Sequence, residues 1–344
     1  MSGFVTRLIR WQKRHGRHDL PWQRNTDPYA VWVSEIMLQQ TQVATVIPYY
    51  ERFMVHFPDT AALARASQQQ VLECWSGLGY YSRARNLHRA AQYIVERHGG
   101  VFPHRFEDML ALPGIGRTTA AAIAVFALGK RCAILDGNVK RVLSRYFGVA
   151  GHPGEKQYED RLWQQAEALL PRRGIRTYTQ ALMDVGAALC TRARPECAAC
   201  PLCADCYALR EGLTEKLPQP RPRRPLPQKQ VVMLMLLHEG EVFLEKRPPS
   251  GIWGGMWSFP EAEPGVDLAL LCEQRYGVCV NPLQALPGLE HGFSHFKLRI
   301  TPQPLAVVKP LTRVSEQHGV WLATRDAMGA AIPAPVRKLL RQLL

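Results

Sequence analysis

The sequence predicts an all-α module over residues 1–216 and an α+β domain over residues 231–344, joined by a linker. At 344 residues the chain is longer than the roughly 100–200 residues of one ordinary domain. Apolar residues recur at helical spacing in the first part, and strand-like patterns begin after a proline-rich stretch. Because 47% of the residues are hydrophobic, the chain can bury cores, which excludes a protein that is disordered over most of its length.

The first clear helix signal of the module is Asp27-Pro28, an N-cap residue followed by proline at the first helical position. No glycine or proline follows until Pro48, so one helix is expected from Tyr29 to Ile47. Its apolar residues recur at helical spacing: Trp32, Ile36, Val43 and Ile47. Further helices are expected near residues 60–75, 83–98, 118–129, 138–147, 157–170 and 177–190.

Residues 217–230 form the predicted linker, because five prolines and several charges favour an extended, semi-rigid chain. The pattern then becomes typical of β-strands. Residues 231–237 are continuously apolar, and residues 241–246 and 296–300 alternate. These patterns predict the α+β domain.

The basic surplus of the chain lies before the second domain. Residues 1–220 hold 28 basic and 19 acidic side chains, a net charge of +9, whereas residues 231–344 carry +1. Such a surplus can serve solubility alone, but it favours a polyanionic partner such as nucleic acid. No run of about 18 uncharged apolar residues occurs, and the N-terminus lacks an apolar signal core, so a cytoplasmic protein without a membrane span is expected.

Five of the nine cysteines fall within residues 190–206, which indicates a metal site in a chain expected to keep its thiols reduced. Four of them have the spacing Cys190-x6-Cys197-x2-Cys200-x5-Cys206. Cysteine ligation suits an iron–sulfur cluster or zinc, and the spacing alone leaves both open. Cys203 is an additional thiol that is either a bystander or a substitute ligand. Arg192 and Arg194 give the same loop positive charge that it could present to a phosphate.

A tight hairpin is predicted at Leu112-Pro113-Gly114-Ile115-Gly116-Arg117, ahead of the helix that begins at Thr118. Glycines let backbone N–H groups approach a phosphate closely, although many Gly-x-Gly segments are plain turns. Asp136 follows 20 residues after Gly116, at the start of another helix. Free N–H groups at a helix start favour the charged form of a carboxyl group, so the pKa of Asp136 is expected to be low.

Glu35 lies on the predicted helix with mostly apolar neighbours three and four residues away. Desolvation on such a face raises the pKa of a carboxyl group and keeps it protonated near neutral pH. Glu35 as an acid and Asp136 as an anion are the pair that cleavage of an N-glycosidic bond requires. The alternatives are a partly buried helix residue and a simple N-cap.

Together these motifs resemble the adenine DNA glycosylases of the MutY family. That family is an endonuclease III-like, helix–hairpin–helix and iron–sulfur branch of the DNA glycosylases with a Nudix-like C-terminal domain. The resemblance covers nearly the full chain. It is carried by Leu20-Pro21-Trp22, residues 34–42, residues 77–81, residues 136–139 and the cysteine loop. The implied fold is a helix–hairpin–helix glycosylase module, with the hairpin motif at about residues 108–128, plus a Nudix-like domain.

The resemblance implies base excision repair, in which adenine is flipped out of double-stranded DNA and removed from its pair with 8-oxoguanine or guanine. Glu35 would be the general acid, Asp136 would stabilise the sugar cation, and Asn138 would position it. The implied adenine pocket consists of Val43, Gln180, Thr118 and Trp22. The implied DNA contacts are Gln40, Tyr80, Gly114, Gly116 and Arg117. The implied ligands of a [4Fe–4S] cluster are Cys190, Cys197, Cys200 and Cys206.

Two segments define the expected reaction further. The lyase relatives carry a Schiff-base lysine where this chain has Thr118, so a monofunctional glycosylase is expected, although Lys140 lies near Asp136 in sequence. In the C-terminal domain, residues 261–280 lack the clustered glutamates of a Nudix pyrophosphatase. The family reads 8-oxoguanine with a Phe-Ser-His loop, which corresponds here to Phe293, Ser294 and His295.

Two other functions remain open at this stage. One is a bifunctional glycosylase/lyase acting on oxidised pyrimidines, and the other is a DNA-binding iron–sulfur module that senses mispairs without cutting. Thr118 and the C-terminal domain disfavour the first. The protein is expected to act as a monomer.

Overall fold

The computed structural model describes residues 3–222, 225–310 and 319–344. Its contacts divide the chain into two compact units. The first contains Met1–Arg65 and Asn86–Arg223, and the second contains Ala66–Arg85 and Arg224–Leu344. A helical part followed by a mixed sheet with helices confirms the predicted fold class.

Helices account for the regular structure of residues 3–222, where the structure describes no β-strand. They are α1 (Gly3–His15), α2 (Pro28–Leu38), α3 (Val43–His56), α4 (Thr60–Arg65), α5 (Gln68–Trp75), α6 (Ser82–His98), α7 (Phe106–Leu110), α8 (Arg117–Phe126), α9 (Gly137–Phe147), α10 (Lys156–Ala168), α11 (Ile175–Asp184) and α12 (Tyr207–Arg210). Single helical turns lie at Pro21–Gln23, Val185–Leu189, Cys197–Ala199 and Cys203–Asp205.

The prediction of one helix from Tyr29 to Ile47 is wrong. Asp27 does cap α2 through Tyr29 N–H, but α2 ends at Leu38. Gln40 has a φ of 57°, which no α-helix contains, and it separates α2 from α3. Pro48 lies inside α3 rather than after a helix. The single helix expected near residues 60–75 is likewise divided into α4 and α5.

The core of the first unit brings the site-bearing helices together. α2 packs against α8, and α11 packs against α1, α8 and α9. Large buried side chains fill the space between α1, α9, α10 and α11, among them Leu8, Leu143, Tyr158 and Tyr178. Because α2 carries Glu35 and α9 begins after Asp136, this packing places both carboxyl groups in one region.

The second unit is built on a mixed eight-stranded sheet. Its strands are β1 (Gln228–His238), β2 (Glu241–Lys246), β3 (Trp257–Ser258), β4 (Glu261–Ala262), β5 (Val278–Pro282), β6 (Leu289–Gly292), β7 (Lys297–Pro310) and β8 (Val320–Ala323). Its C-terminal helices are α13 (Leu268–Tyr276), α14 (Thr324–Ala327) and α15 (Ala334–Leu340). β1 and β7 pair in parallel, and the other pairs are antiparallel. β1 begins inside the predicted linker, whose Arg223 and Arg224 lie outside the described residues.

A segment from the middle of the helical part belongs to the second unit. Residues 66–85 were assigned to the helical module from sequence, but they pack with the C-terminal residues. Ser76 Oγ donates to the carbonyl oxygen of Ile332 at 2.9 Å and accepts from Arg337 at 3.0 Å. Arg85 donates to the carbonyl oxygen of Gly254 at 2.8 Å. Within the described residues, no helix has both the length and the apolar composition needed to cross a membrane.

Candidate active site

A cavity of about 580 Å³ in the first unit collects most of the predicted catalytic and base-binding residues. Its lining includes Glu35, Asp136, Asn138, Trp22, Val43 and Gln180. The volume is within the range of small-molecule pockets and suits a purine base with part of its sugar. Thr118 differs from the prediction, because it is not among the lining residues and its hydroxyl donates to the carbonyl oxygen of Leu135 at 3.3 Å.

Glu35 has the high pKa that the sequence predicts. It lies in the third turn of α2, whose flanking residues Ser34 and Ile36 are buried. Desolvation of the carboxyl group, together with the nearby charge of Asp136, raises the pKa of Glu35 from 4.5 to about 8. The side chain is only half-buried because one side faces the cavity. Glu35 is therefore protonated at neutral pH and can reach a bound molecule.

Asp136 is the N-cap of α9, and its Oδ1 accepts the N–H of Val139 at 2.7 Å. The predicted low pKa is wrong, because burial raises the pKa of Asp136 above its usual value. Hydrogen bonds from the N–H groups of Val139 and Asn138, and the charges of Arg141 and Lys140, oppose this rise. The two carboxyl groups therefore shift in the same direction, but only Asp136 has cationic and N–H partners that favour its anion.

Asn138 is held by a hydrogen-bonded arginine. Arg141 donates to Asn138 Oδ1 at 2.8 Å, to the carbonyl oxygen of Gly186 at 2.6 Å and to that of Cys190 at 2.6 Å. A side chain at Gly186 would place its Cβ 2.7 Å from Asn138 Cβ, so this close approach requires glycine. The start of α9 is thus tied to the beginning of the cysteine loop.

Lys140 lies near Asp136 in sequence but is already engaged. Its Nζ donates to Glu159 Oε1 at 2.6 Å. This hydrogen bond is the main cause of the lowered pKa of Glu159, which therefore stays ionised. The ammonium group of Lys140 has a fixed anionic partner and must leave it before it can act as a nucleophile.

The four predicted ligand cysteines line one small cavity of about 30 Å³, and Cys203 lines it as well. Burial raises the pKa of the Cys200 thiol to about 12, and the nearby thiols of Cys190 and Cys206 add to the rise. Arg145 donates to Cys190 Sγ at 3.3 Å. Crowded thiols that oppose each other's ionisation fit a centre that supplies positive charge. No group of three or more His, Cys, Asp or Glu residues in the described parts has the arrangement that holds a single metal ion.

Two residues expected to enter the DNA duplex have left-handed backbones, which are costly for residues other than glycine. Gln40 has a φ of 57° and Tyr80 a φ of 49°. Tyr80 is 47% exposed, a large fraction for an aromatic residue. In the same unit Arg83 supports it, since the guanidinium lies 5.3 Å from the Tyr80 ring centre and donates to the carbonyl oxygen of Gly79 at 3.1 Å. Strain of this kind is typical of functional positions.

The predicted hairpin is present before α8. Gly114 has a φ of 81°, and a Cβ there would lie 2.8 Å from Asn86 Cβ, so both conformation and space require glycine. Gly116 is the N-cap of α8. Arg117, an expected DNA contact, already has partners within the protein. Its guanidinium lies 3.8 Å from the ring centre of Trp163 and forms an ion pair with Glu167.

The Phe-Ser-His segment lies between β6 and β7 and lines a second cavity of about 580 Å³ within the second unit. Tyr80 lines the same cavity. Phe293 stacks on Phe296 at 4.4 Å between ring centres and meets His291 edge-on at 4.7 Å. Trp253, with a φ of 53°, completes this aromatic wall at 5.8 Å from Phe293.

Sequence reasoning missed the parts of this wall that lie outside the motif. Trp253 lies in Gly251-Ile252-Trp253-Gly254-Gly255, where closely spaced glycines around a tryptophan are a usable signal. His291 precedes the motif by one residue without any distinguishing pattern. Burial lowers the pKa of His291, so its imidazole is neutral at neutral pH.

Comparison with known proteins relates both units to described families. The family model described as "HhH-GPD superfamily base excision DNA repair protein" matches residues 33–168, and the model described as "NUDIX domain" matches residues 231–342. The chain is 37% identical over 338 residues to "Adenine DNA glycosylase" of Buchnera aphidicola subsp. Acyrthosiphon pisum, covering 98% of this chain and 96% of that protein. It is 34% identical over 405 residues to "Adenine DNA glycosylase" of Homo sapiens, covering 99% and 74%.

Solved structures resemble 60–61% of the chain. "Structure of a thermostable thymine-DNA glycosylase" matches with a TM-score of 0.55 and 30% identity, over 60% of this chain and 95% of that chain. "Structure of a non-covalent Endonuclease III-DNA Complex" matches with a TM-score of 0.52 and 18% identity, over 61% and 94%. The second likeness shows a shared fold.

Proposed function

This chain belongs to the adenine DNA glycosylases, and we propose that it hydrolyses the N-glycosidic bond of adenine paired with 8-oxoguanine or guanine, without cleaving the strand. The enzyme is a DNA glycosylase of base excision repair. One observation carries the proposal. A base-sized cavity holds a carboxyl group that is protonated at neutral pH, Glu35, together with the helix-capping carboxylate of Asp136.

The two carboxyl groups have different tasks in this reaction. Glu35 donates its proton to the ring of the flipped adenine, so that the base leaves as a neutral molecule. Burial raises the pKa of Asp136, but backbone N–H groups and two cations favour its anion, and this carboxylate stabilises the positive charge that develops on the sugar. Once it has lost its proton, Glu35 can accept one from the water that attacks the sugar.

Two features support hydrolysis without strand cleavage. Thr118 occupies the position of the lyase lysine, and its hydroxyl is bonded to the backbone at Leu135. Lys140 is ion-paired with Glu159. Neither side chain offers a free amine to attack the sugar, so water is the nucleophile.

The second cavity is the proposed reader of the base opposite adenine. Ser294 and His295 supply hydrogen-bonding groups at its edge, and Phe293 and Trp253 supply flat apolar surface. Tyr80 belongs to the same cavity and is exposed enough to enter the base stack. An oxidised purine differs from guanine at its exposed edge, where one or two hydrogen bonds can discriminate.

The cysteine cavity is the proposed site of a [4Fe–4S] cluster. Cys190, Cys197, Cys200 and Cys206 would hold it, and we expect Cys203, which lines the same cavity, to be a bystander. A bound cluster would link the four thiolates and so hold residues 190–206 in one conformation. Because Arg141 links the carbonyl oxygen of Cys190 to Asn138, an ordered loop also orders the first turn of α9 beside Asp136.

The proposed partner is double-stranded DNA, bound as a monomer. Residues 1–220 carry a net charge of +9, which favours binding to phosphates. Acting on genomic DNA, a bacterial-type enzyme of this kind works in the cytoplasm.

Single-turnover release of adenine from a duplex with one adenine opposite 8-oxoguanine tests the proposal. Glu35→Gln should bind this duplex but lose excision by at least about 10²-fold, because the transferable proton is gone. Glu51→Gln, the same change at an exposed residue of α3, is the matched control. Borohydride trapping separates the alternatives, since a lyase would be trapped with high yield and a mispair sensor would release no base. Excision by Glu35→Gln within tenfold of the unmodified enzyme contradicts the acid role.

A further inference from the structure

A buried cation lies beside the exposed ring of Tyr80. Arg83 follows Tyr80 by three residues and is 8% exposed, whereas Tyr80 is 47% exposed. Burial lowers the pKa of Arg83 from its ordinary value to about 10, because the charged form is costly in this position. An apolar side chain of similar volume would fill the same space without that cost. The charge at Arg83 therefore needs a reason beyond packing.

Arg83 binds the turn that precedes Tyr80. Its Nη2 donates to the carbonyl oxygens of Leu78 at 3.4 Å and Gly79 at 3.1 Å, and its backbone N–H donates to the carbonyl oxygen of Tyr80 at 2.8 Å. Trp75 Nε1 also donates to the carbonyl oxygen of Gly79, at 3.1 Å. These bonds fix a turn with a left-handed backbone at Gly79, where φ is 76°, and at Tyr80, where φ is 49°. Because this conformation is costly for tyrosine, it persists only where such contacts support it.

The same guanidinium lies close to two aromatic rings. Its central carbon is 5.4 Å from the ring centre of Trp75 and 5.3 Å from that of Tyr80. At such distances a cation is attracted to an aromatic ring, and more strongly when it is desolvated, as Arg83 is. A planar guanidinium can donate to carbonyl oxygens and contact rings at the same time, whereas the ammonium of lysine is a point charge. Arg83 thus holds both the backbone and the ring of Tyr80.

We propose that Arg83 is a positioning residue that holds the ring of Tyr80 ready to enter the base stack as adenine leaves it. The inference rests on the proposed function, in which Tyr80 enters the duplex, and it names the residue that prepares this step. A side chain that is free to rotate loses that freedom when it inserts between bases, which makes insertion less favourable. Because Arg83 restricts Tyr80 before DNA binds, most of this ordering occurs when the protein folds.

Extrusion of a base from the duplex measures this step without the chemistry. Every protein in the experiment carries Glu35→Gln, so that no base is excised. The duplex carries 2-aminopurine opposite 8-oxoguanine in place of adenine, and 2-aminopurine fluoresces more strongly once it leaves the base stack. The rise in fluorescence is followed by stopped-flow mixing at saturating protein, so that differences in DNA affinity do not affect the rate.

Tyr80→Gly should slow extrusion roughly tenfold, because the stacking of an aromatic ring on a base is lost. Arg83→Met should slow it about fivefold, since the ring remains but loses its cationic support. The double variant should be at most about twofold slower than Tyr80→Gly alone, because Arg83 acts through Tyr80. Arg97→Met, the same change at an exposed residue of α6, should leave the rate unchanged.

Arg83→Lys keeps the positive charge and serves if Arg83→Met does not fold. An ammonium group cannot replace the planar contacts of the guanidinium, so Arg83→Lys should slow extrusion about threefold. In a protein that also carries Tyr80→Gly, the same change should have no further effect.

A merely structural role of Arg83 would slow extrusion by the same factor with and without Tyr80, and that result overturns the inference. An unchanged rate in Tyr80→Gly or in the Arg83 variants also overturns it, as does the lack of any fluorescence rise with Glu35→Gln alone. Excision of adenine by the unmodified enzyme is measured in parallel. If that excision is absent, the proposed function fails instead, so the two failures are distinguishable.

Discussion

Replacing Glu35 by glutamine should stabilise the protein while it abolishes excision. The unmodified carboxyl group binds its proton more tightly in the folded protein, where its pKa is about 8, than in the unfolded chain, where the ordinary value is 4.5. Stability therefore falls as pH rises from about 4.5 to about 8, because ionisation is costly only in the folded state. Glutamine has the same shape and carries no charge, so Glu35→Gln removes this loss.

The size of the gain follows from the pKa. Each unit between the ordinary and the raised pKa of Glu35 is worth about 1.4 kcal/mol. If the carboxyl group were fully buried, the gain in the free energy of unfolding would therefore be at most ~5 kcal/mol above pH 8. Cavity water reaches part of the side chain and screens its charge, which reduces the expected gain to ~2 kcal/mol. The gain should be small at pH 5, grow through neutral pH and level off above pH 8.

Urea unfolding of both proteins at pH 5, 7 and 8.5 measures this dependence, with Glu51→Gln as the control for loss of an exposed charge. The pH profile of excision by the unmodified enzyme should fall above about pH 8, where Glu35 loses its proton. A stability difference between Glu35→Gln and the unmodified enzyme that stays constant across the three pH values would refute the assignment of a buried, protonated carboxyl group.

Three further outcomes are expected. Cys206→Ser should lower the iron content from about four per chain, measured on anaerobically prepared protein, whereas Cys203→Ser should leave it nearly unchanged; stoichiometric zinc without iron in the unmodified protein would contradict the cluster. Ser294→Ala should weaken the preference for 8-oxoguanine over guanine by roughly 1–2 kcal/mol in single-turnover excision at one salt concentration, and equal slowing on both duplexes would remove Ser294 from recognition. Tyr80→Gly should weaken excision from duplex DNA about tenfold or more, but affect a duplex with an unpaired, already extrahelical adenine much less, since only the former must be opened.

The sequence predicted the features that depend on local pattern. The apolar helical neighbours of Glu35 predicted a raised pKa, and desolvation by burial does raise it. The cysteine spacing predicted a common centre, and the four thiols line one cavity. The alternating pattern of residues 241–246 predicted β2 with its observed bounds.

Features that depend on long-range contacts could not be predicted from the sequence. The pKa of Asp136 was expected to be low from its helix start, but burial by distant residues outweighs the N–H groups. Asp184 looked like an ordinary residue near a helix end, and only the fold brings Arg17 to it. The turn at Gln40 carries no glycine or proline, so no local signal in the sequence predicts its left-handed backbone.

The second unit is formed by two separate stretches of the sequence, so its parts are synthesised at different times. Residues 66–85 leave the ribosome early, while their partners at Gly254, Ile332 and Arg337 follow 169 to 261 residues later. At about 5–20 residues per second, this separation leaves the segment waiting on the order of 10–50 s. Leu72 and Trp75, buried in the finished protein, lack part of their cover during that interval. Residues 66–85 therefore complete their packing only after the C-terminal residues of the same unit have been synthesised.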